Sequence, residues 1–420
     1  MKAAIYKRYL LVVLLIILAF NYVDRLALGL VLQSIKADLN LSDTQLGLLS
    51  GLAFALFYSL MGIPIARWAD RGNRVVIISI TTALWSVAVA LCGLAGSFWQ
   101  LAAIRVGVAV GEAGCIPPAH SLIADQFARS ERARALSVYS LGGPLSMVIG
   151  YFVAGWLNQI YGWRVMFLLI GLPGLGLAVW AWLGLHEPRR LTTPIKEPAQ
   201  PNVREACALL LKNTTYRHLV LCFSVVLFFT YGITLWQPAF FMRSYGLKSG
   251  QLGTWFALIY GIGGFLGTYA GGEWATRYAA NNERLQLKAM AIALACFAVV
   301  SGLIYLSSNL YVALALTGLA AAGGSMINGP LFAIVQTLMP QRLRAVSISL
   351  IYLFGNLVGM GLGPLAIGAL SDRFRPWAGE ESLRYSLLVL CPGYLWAAWH
   401  LWRGGRTVQR DIESASMECA

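Results

Sequence analysis

Apolar runs of about 20 residues recur along nearly the whole chain, and the charged residues gather between them. A helix of that length crosses the hydrocarbon core of a bilayer, so the pattern predicts an all-α membrane protein. Of the 420 residues, 58% are hydrophobic and only 12% charged, against roughly 25% charged in a soluble domain. The runs predict 12 transmembrane helices, near 9–32, 45–66, 75–96, 99–123, 134–157, 164–185, 217–242, 250–275, 287–307, 309–335, 344–370 and 383–402. The first, Tyr9 to Leu32, is too long for a secretory signal and contains Asp24 and Arg25. No small-residue cleavage site follows it, so it reads as a retained helix.

A formal charge of +14 would fit a nucleic-acid partner, but its distribution fits a membrane. With the N-terminus inside, Lys and Arg favour inner loops and tails over outer loops by roughly three to one, the bias that orients membrane proteins. Both termini are expected in the cytoplasm, and no nucleic-acid role is expected. The basic inner side also suits anionic lipid headgroups. The 7 cysteines show no CxxC-type spacing, and most lie in the expected helices, where a thiol packs as a small hydrophobe. Neither a disulfide nor a metal site is expected. The four histidines are scattered, and His120, near the inner end of the fourth span, reads as structural. No ATP-binding loop of GxxxxGK[ST] type, zinc motif or nucleophile constellation is present, so an enzyme is not expected.

The least hydrophobic long stretch is 186–215, with Pro188, Pro194, Pro198 and Pro201 among mixed charges. It reads as a cytoplasmic linker. The expected organisation is a six-helix bundle over 1–185, the linker, a second bundle over 216–405 and a cytoplasmic tail over 406–420. The halves repeat: 126–137 resembles 336–347, 42–47 resembles 248–253, and 68–71 resembles 274–277. Three matches in the same order and near-constant offset indicate parallel repeats, a transport architecture. They also weaken a third reading, a transporter-like sensor without flux. Glycines crowd the fifth, eighth and eleventh spans; they permit close helix packing, or sliding during a conformational cycle.

Ionisable groups inside spans are costly, at least about 2.5–3.5 kcal/mol at mid-bilayer, so they face a cavity or a partner. The first span carries Asn21, Tyr22, Asp24 and Arg25, and the fourth carries Arg105 and Glu112. Running in opposite directions, the two spans place Asp24 and Arg105 at a shared depth. Arg105 and Glu112 are two turns apart and project from one face, about 10.5 Å from each other. Asp24 and Arg25 are neighbours whose directions diverge by about 100°, so one is expected to face a cavity and the other a neighbouring helix. Two readings stand side by side. The cluster is a buried ion network that fixes packing, or it is a headgroup site with a protonatable acid. In the second, arginine is the anion anchor because it keeps its proton. A carboxyl balanced between desolvation and a nearby cation then loads and releases a proton. Glu112 is the first candidate for that role and Asp24 the second. The second half offers Phe228, Phe229, Thr230, Tyr231, Trp236, Gln237 and Asn328 as an aromatic, amide-bearing wall. A charged wall facing an aromatic one suits an amphipathic substrate, although aromatics are abundant throughout.

The segment from Ala66 to Arg74 resembles the cytoplasmic signature loop of the major facilitator superfamily. Asn21 to Arg25, Arg105 to Ala113, Ser121 to Asp125, Leu172 to Gly176 and Glu187-Pro188 resemble, in that order along the fold, the spinster family of lipid transporters. The superfamily likeness covers the whole chain, and the spinster likeness rests on the first half. The resemblance implies two pseudo-symmetric six-helix bundles around a central cavity that opens to each side in turn. It implies lysolipid or sphingolipid-like substrates, proton coupling, and substrate or proton handling by Asp24, Arg25, Arg105 and Glu112. It also implies a cytoplasmic latch of Asp70, Arg71 and Arg74 against the other half. Ala66 stands where the signature has Gly, and Val75 where it ends in a basic residue.

The resulting expectation is a secondary active transporter working by alternating access. It is expected to be proton-coupled, with no cofactor beyond the proton gradient, and to carry an amphipathic anion or zwitterion. A carrier of small organic anions or a drug:proton antiporter is the alternative, the latter from Gly142-Gly-Pro144 in the fifth span. Compact loops point to a bacterial inner membrane, and a monomer is expected.

Overall fold

The computed structural model describes residues 2–188, 210–279, 282–339 and 344–417. Most of the expected linker therefore lies outside the described residues. The first part of the chain forms α1 (Lys2–Leu39), α2 (Asp43–Ser50), α3 (Leu52–Arg71), α4 (Arg74–Cys92), α5 (Phe98–Glu112), α6 (Ile116–Gln126), α7 (Arg129–Ser140) and α8 (Gly142–Gly184). The second forms α9 (Thr214–Tyr245), α10 (Ser249–Tyr278), α11 (Glu283–Leu306), α12 (Leu310–Ser325), α13 (Asn328–Leu338), α14 (Arg344–Gly355), α15 (Gly361–Ala378), α16 (Ser382–Leu390) and α17 (Gly393–Met417). Among the described residues, 9 helical stretches are long and apolar enough to cross a membrane. Two of these, Arg134–Gly184 and Val346–Glu413, are 51 and 68 residues long and each hold two expected spans. The span expected near 250–275 is α10, a helix of 30 residues.

Local sequence explains where helices begin and break. Ser42 and Gln45 form a reciprocal capping box at the start of α2. Asn73 caps α4, Ser97 caps α5, Asn282 caps α11 and Asn309 caps α12. Each such side chain satisfies a backbone N–H that the first turn leaves unpaired, typically for about 1 kcal/mol. The caps of α4 and α11, and of α5 and α12, fall at matching places in the two halves, so the repeat is visible as chemistry. Proline interrupts the fourth and tenth spans at matching places too. Helix α5 stops at Glu112 and α6 restarts with Pro117 and Pro118 in its first turn. Helix α12 stops at Ser325 and α13 restarts with Pro330 in its first turn. Proline lacks an N–H and is tolerated where that donor would be unpaired anyway. Within α8 the chain breaks at Gly162, whose φ of +79 is open mainly to glycine. That break separates the expected fifth and sixth spans.

The chain divides into two compact units, Met1–Ile195 with Leu235–Ala257, and Lys196–Thr234 with Leu258–Ala420. The second half of α9 and the start of α10 thus belong with α1–α8. In this first unit α8 packs along both α1 and α4. On α1, Leu10, Val13, Leu14 and Ile17 recur at helical spacing and are buried against Leu122, Ile123, Tyr139 and Ala181. Apolar side chains such as Trp99, Trp182 and Leu183 stay exposed, as expected of a surface that meets lipid. Lipid tails are as apolar as leucine, so helix association there depends on close packing rather than on escape from water. Gly155 of α8 and Gly253 of α10 show this: a Cβ on Gly155 would lie 2.5 Å from the Ser249 carbonyl oxygen, and one on Gly253 would meet the Tyr151 carbonyl.

The same unit holds an ionic cluster that links the second half of the sequence to the first. Both terminal nitrogens of Arg243 donate to Asp43, each at 2.7 Å. Arg243 Nε donates to Gln33 Oε1 at 2.9 Å, and Lys36 Nζ donates to Asp43 Oδ1 at 2.5 Å. Asp43 is fully buried.

Candidate functional site

Asp24 and Arg25 lie about two-thirds of the way along α1, and Arg105 and Glu112 lie on α5. Arg105 Nη1 donates to Asp24 Oδ2 at 2.7 Å. Arg25 Nε donates to Glu112 Oε2 at 2.6 Å, and its Nη2 reaches the same oxygen. Asp24, Arg105 and Glu112 are buried, while the Arg25 side chain keeps 16% of its exposure. The expected common depth of Asp24 and Arg105 is present as a direct bond. The expected divergence of Asp24 and Arg25 takes another form: both side chains end on α5. Their partners there stand two turns apart, about 10.5 Å, and the long arginine stem covers the difference. The four groups are formally neutral together, which is the condition for burying charge at tolerable cost.

Aromatic rings surround the cations. The Arg25 guanidinium carbon sits 5.1 Å from the centre of the Tyr22 ring, 4.8 Å from Phe54 and 4.7 Å from Tyr58. The Arg105 guanidinium carbon lies 5.0 Å from the same Phe54 ring. Phe54 and Tyr58 are four residues apart on α3 and stack at 5.8 Å. The face of each ring is electron-rich and attracts a cation, most strongly where water is excluded.

Several buried polar atoms of the cluster have no hydrogen-bond partner among the described residues: both amide atoms of Asn21, Asp24 Oδ1, Arg105 Nε and Glu112 Oε1. Leaving one such atom unsatisfied costs about 1–3 kcal/mol. An ionised carboxylate brings only acceptors, and a proton taken up turns one of its oxygens into a donor.

The remaining expected residues separate. Trp236 and Gln237 are buried and belong to the unit of α1–α8. Phe228 and Tyr231 are half-buried and belong to the second unit. There the Phe228 ring stands 5.1 Å from Phe229, which packs 5.2 Å from Tyr394, and Tyr394 packs 4.6 Å from Phe297. Thr230 Oγ1 lies 3.5 Å from the Tyr394 hydroxyl. Hence the residues grouped as one aromatic wall divide between two units, because α9 changes unit after Thr234. The Asn328 side chain lies outside the described residues, as does that of Asp70.

In the loop between α3 and α4, Arg71 is exposed, whereas Arg74 is fully buried. Arg74 donates to Asp125 Oδ2 at 2.7 Å, to the Ser121 hydroxyl and carbonyl at 3.0 Å, and to Glu187 through its side chain and its backbone N–H. These partners are in its own unit, so Arg74 ties α4, α6 and the end of α8 together. Sequence reasoning singled out Arg74, Glu187 and the segment ending in Asp125, but it assigned Arg74 to a latch against the other half and not to these two partners.

It also missed Phe54, Tyr58, Asp43 and Arg243. Phe54 and Tyr58 carry a weak signal, an aromatic pair at helical spacing. Asp43 and Arg243 carry none, because they meet only through the tertiary fold.

The family profile of the Major Facilitator Superfamily matches residues 14–364. An MFS-type efflux pump of Mycolicibacterium smegmatis is 32% identical over 405 residues, covering 95% of this chain and 93% of the relative. Protein spinster homolog 1 of Xenopus laevis is 29% identical over 426 residues, covering 91% and 78%. Among solved structures, a bacterial homolog of the human lysosomal transporter Spinster, inward-facing and unoccupied, superposes with a TM-score of 0.86 at 30% identity, covering 97% and 98%. With its buried double ion pair on an all-helical, repeated, membrane-spanning frame, the chain belongs to the Major Facilitator Superfamily and is a spinster-like transporter.

Proposed function

We propose that the protein is a proton-coupled carrier of an amphipathic anion or zwitterion, of lysolipid or sphingolipid-like chemistry, working by alternating access. The observation that carries this reading is the pair of carboxyls, Asp24 and Glu112. Each is bonded to one arginine, and each presents a second oxygen with no donor. A proton taken up by either one removes one negative charge from the cluster. The freed positive charge on Arg25 or Arg105 then attracts an anionic headgroup. Loss of the proton on the other side of the membrane restores the ion pair and expels the headgroup. Asn21, buried one turn before Asp24 with its amide unmet, supplies further polar contact. Tyr22 lies against Arg25. The proteins most similar in name to this reading are the spinster homologs, and the setting proposed is a bacterial inner membrane with both termini cytoplasmic and the protein as a monomer.

A second reading has its own support: the relative from Mycolicibacterium smegmatis bears the name of an efflux pump, and a buried acid that takes up a proton would serve drug:proton antiport as well. Transport in proteoliposomes separates the two, with a fluorescent lysolipid, a short carboxylate and a cationic dye each assayed with and without an imposed pH gradient. Gradient-dependent lysolipid flux, lost in Glu112→Gln, supports the lipid reading. Flux of dye or carboxylate alone moves the assignment to the alternative. Lysolipid flux that ignores both gradient and substitution leaves the cluster as a packing device.

A further inference from the structure

Arg25 is held in two chemically distinct ways. One is the Glu112 carboxylate; the other is three rings, those of Tyr22, Phe54 and Tyr58, all within 5.1 Å of the guanidinium carbon. A carboxylate alone would suffice for a permanent ion pair. Rings around a guanidinium become important when its anion is gone, because a lone buried cation is severely penalised. We propose that Tyr22, Phe54 and Tyr58 form a cation box whose role is to keep Arg25 at the site while Glu112 is uncharged, so that the guanidinium remains available to an anionic group of the substrate. The inference rests on the proton-coupled reading for its place in the cycle, but the box itself is a claim about Arg25 alone.

The physics separates this role from ordinary packing. A ring beside a complete ion pair feels a cation and an anion whose fields largely cancel. A ring beside the same cation with its carboxylate neutralised feels the full charge. The ring's contribution is therefore small in the paired state and larger in the neutralised one. Phe54 is the best reporter: it is 1% exposed, fits against Arg25, and carries no hydrogen-bonding group of its own. It also faces Arg105. Arg105 keeps Asp24 in both states, so its effect cancels when the two states are compared. Phe54 is a positioning residue on this account, since it acts on substrate only through Arg25.

The test replaces Phe54 with phenylalanines bearing one, two or three ring fluorines. These weaken the negative face stepwise and change the shape little. The series is made in the wild-type chain and in Glu112→Gln, and thermal unfolding of the purified protein is followed in detergent. The expected result is a fall in melting temperature with each fluorine that is about twofold steeper in Glu112→Gln, matching the stronger attraction of rings for desolvated cations. Equal slopes in the two backgrounds, or no slope in either, overturn the box. Should a fluorinated protein fail to accumulate, Phe54→Leu, apolar but without a π face, is compared in the same two backgrounds. A larger loss in Glu112→Gln supports the box, and equal losses refute it. The readout needs no transport: unequal slopes together with gradient-independent flux would retain the box and reject proton coupling.

Discussion

Asp43→Asn is the substitution whose cost can be worked most directly from the structure. Asp43 is fully buried and accepts from both terminal nitrogens of Arg243 at 2.7 Å and from Lys36 at 2.5 Å. Asparagine keeps the shape, but it removes the charge and turns an amide donor toward one of the two cations. At an effective dielectric constant of about 20, a charge pair at about 4 Å is worth roughly 4 kcal/mol, so two lost attractions set an upper bound near 8 kcal/mol. The Lys36 side chain is 16% exposed and recovers hydration by swinging outward. The Arg243 side chain is 5% exposed and recovers little. The net loss expected is about 3–5 kcal/mol, the usual result of stripping one partner from a buried pair. For a chain this long each kcal/mol moves the melting temperature by about 1–2 °C, extending the size trend, which gives a drop of about 3–10 °C. The assay is a double-mutant cycle of Asp43→Asn and Arg243→Gln, followed by thermal unfolding in detergent. Removing both charges should cost clearly less than the two single losses added together. Strict additivity, or a single-variant loss near zero, would refute the claim that this bond joins the Leu235–Ala257 segment to α1 and α2.

Other expectations follow from the same geometry. Arg74→Lys exchanges a fork that serves Asp125, Ser121 and Glu187 at once for a single ammonium, and should lower stability by about 2–4 kcal/mol, measurable as earlier unfolding and as proteolysis near residue 187. Gly253→Ala drives a Cβ into the Tyr151 carbonyl and should cost about 1–3 kcal/mol as α8 and α10 separate, while Gly143→Ala, where a Cβ meets nothing within 4 Å, should be close to neutral or slightly stabilising. Lys7 donates to Glu131 at 2.7 Å at the exposed N-terminal end of α1, and this hydrogen bond holds the Glu131 carboxyl below its ordinary value. The depressed value means the contact's contribution is complete above the ordinary Glu range and is lost as pH falls through the lower folded value. Its exposure makes the effect small and sensitive to salt; Glu131→Gln should leave neutral-pH unfolding almost unchanged and flatten its dependence at acid pH.

Much of this protein was determined by sequence alone. Apolar runs of spanning length leave a helix little alternative in lipid, since every backbone polar group must be satisfied within the segment. Caps such as Ser42, Asn73 and Asn309 and breaks such as Pro117 and Gly162 act on their own neighbours and so are local features, although the span expected near 99–123 ran unbroken through Pro117. The shared depth of Asp24 and Arg105 was also legible, because charges inside spans are rare and need partners. Tertiary structure alone decided what those charges face. Arg25 and Arg105 share the Phe54 ring, Arg74 turns inward to Asp125 and Glu187, and Asp43 meets Arg243. No local rule links residues 200 positions apart, or tells which of many aromatics along a membrane helix faces a cation and which faces lipid. That choice is made by the rotation of each helix about its axis, which is set by packing against neighbours rather than by the helix's own composition.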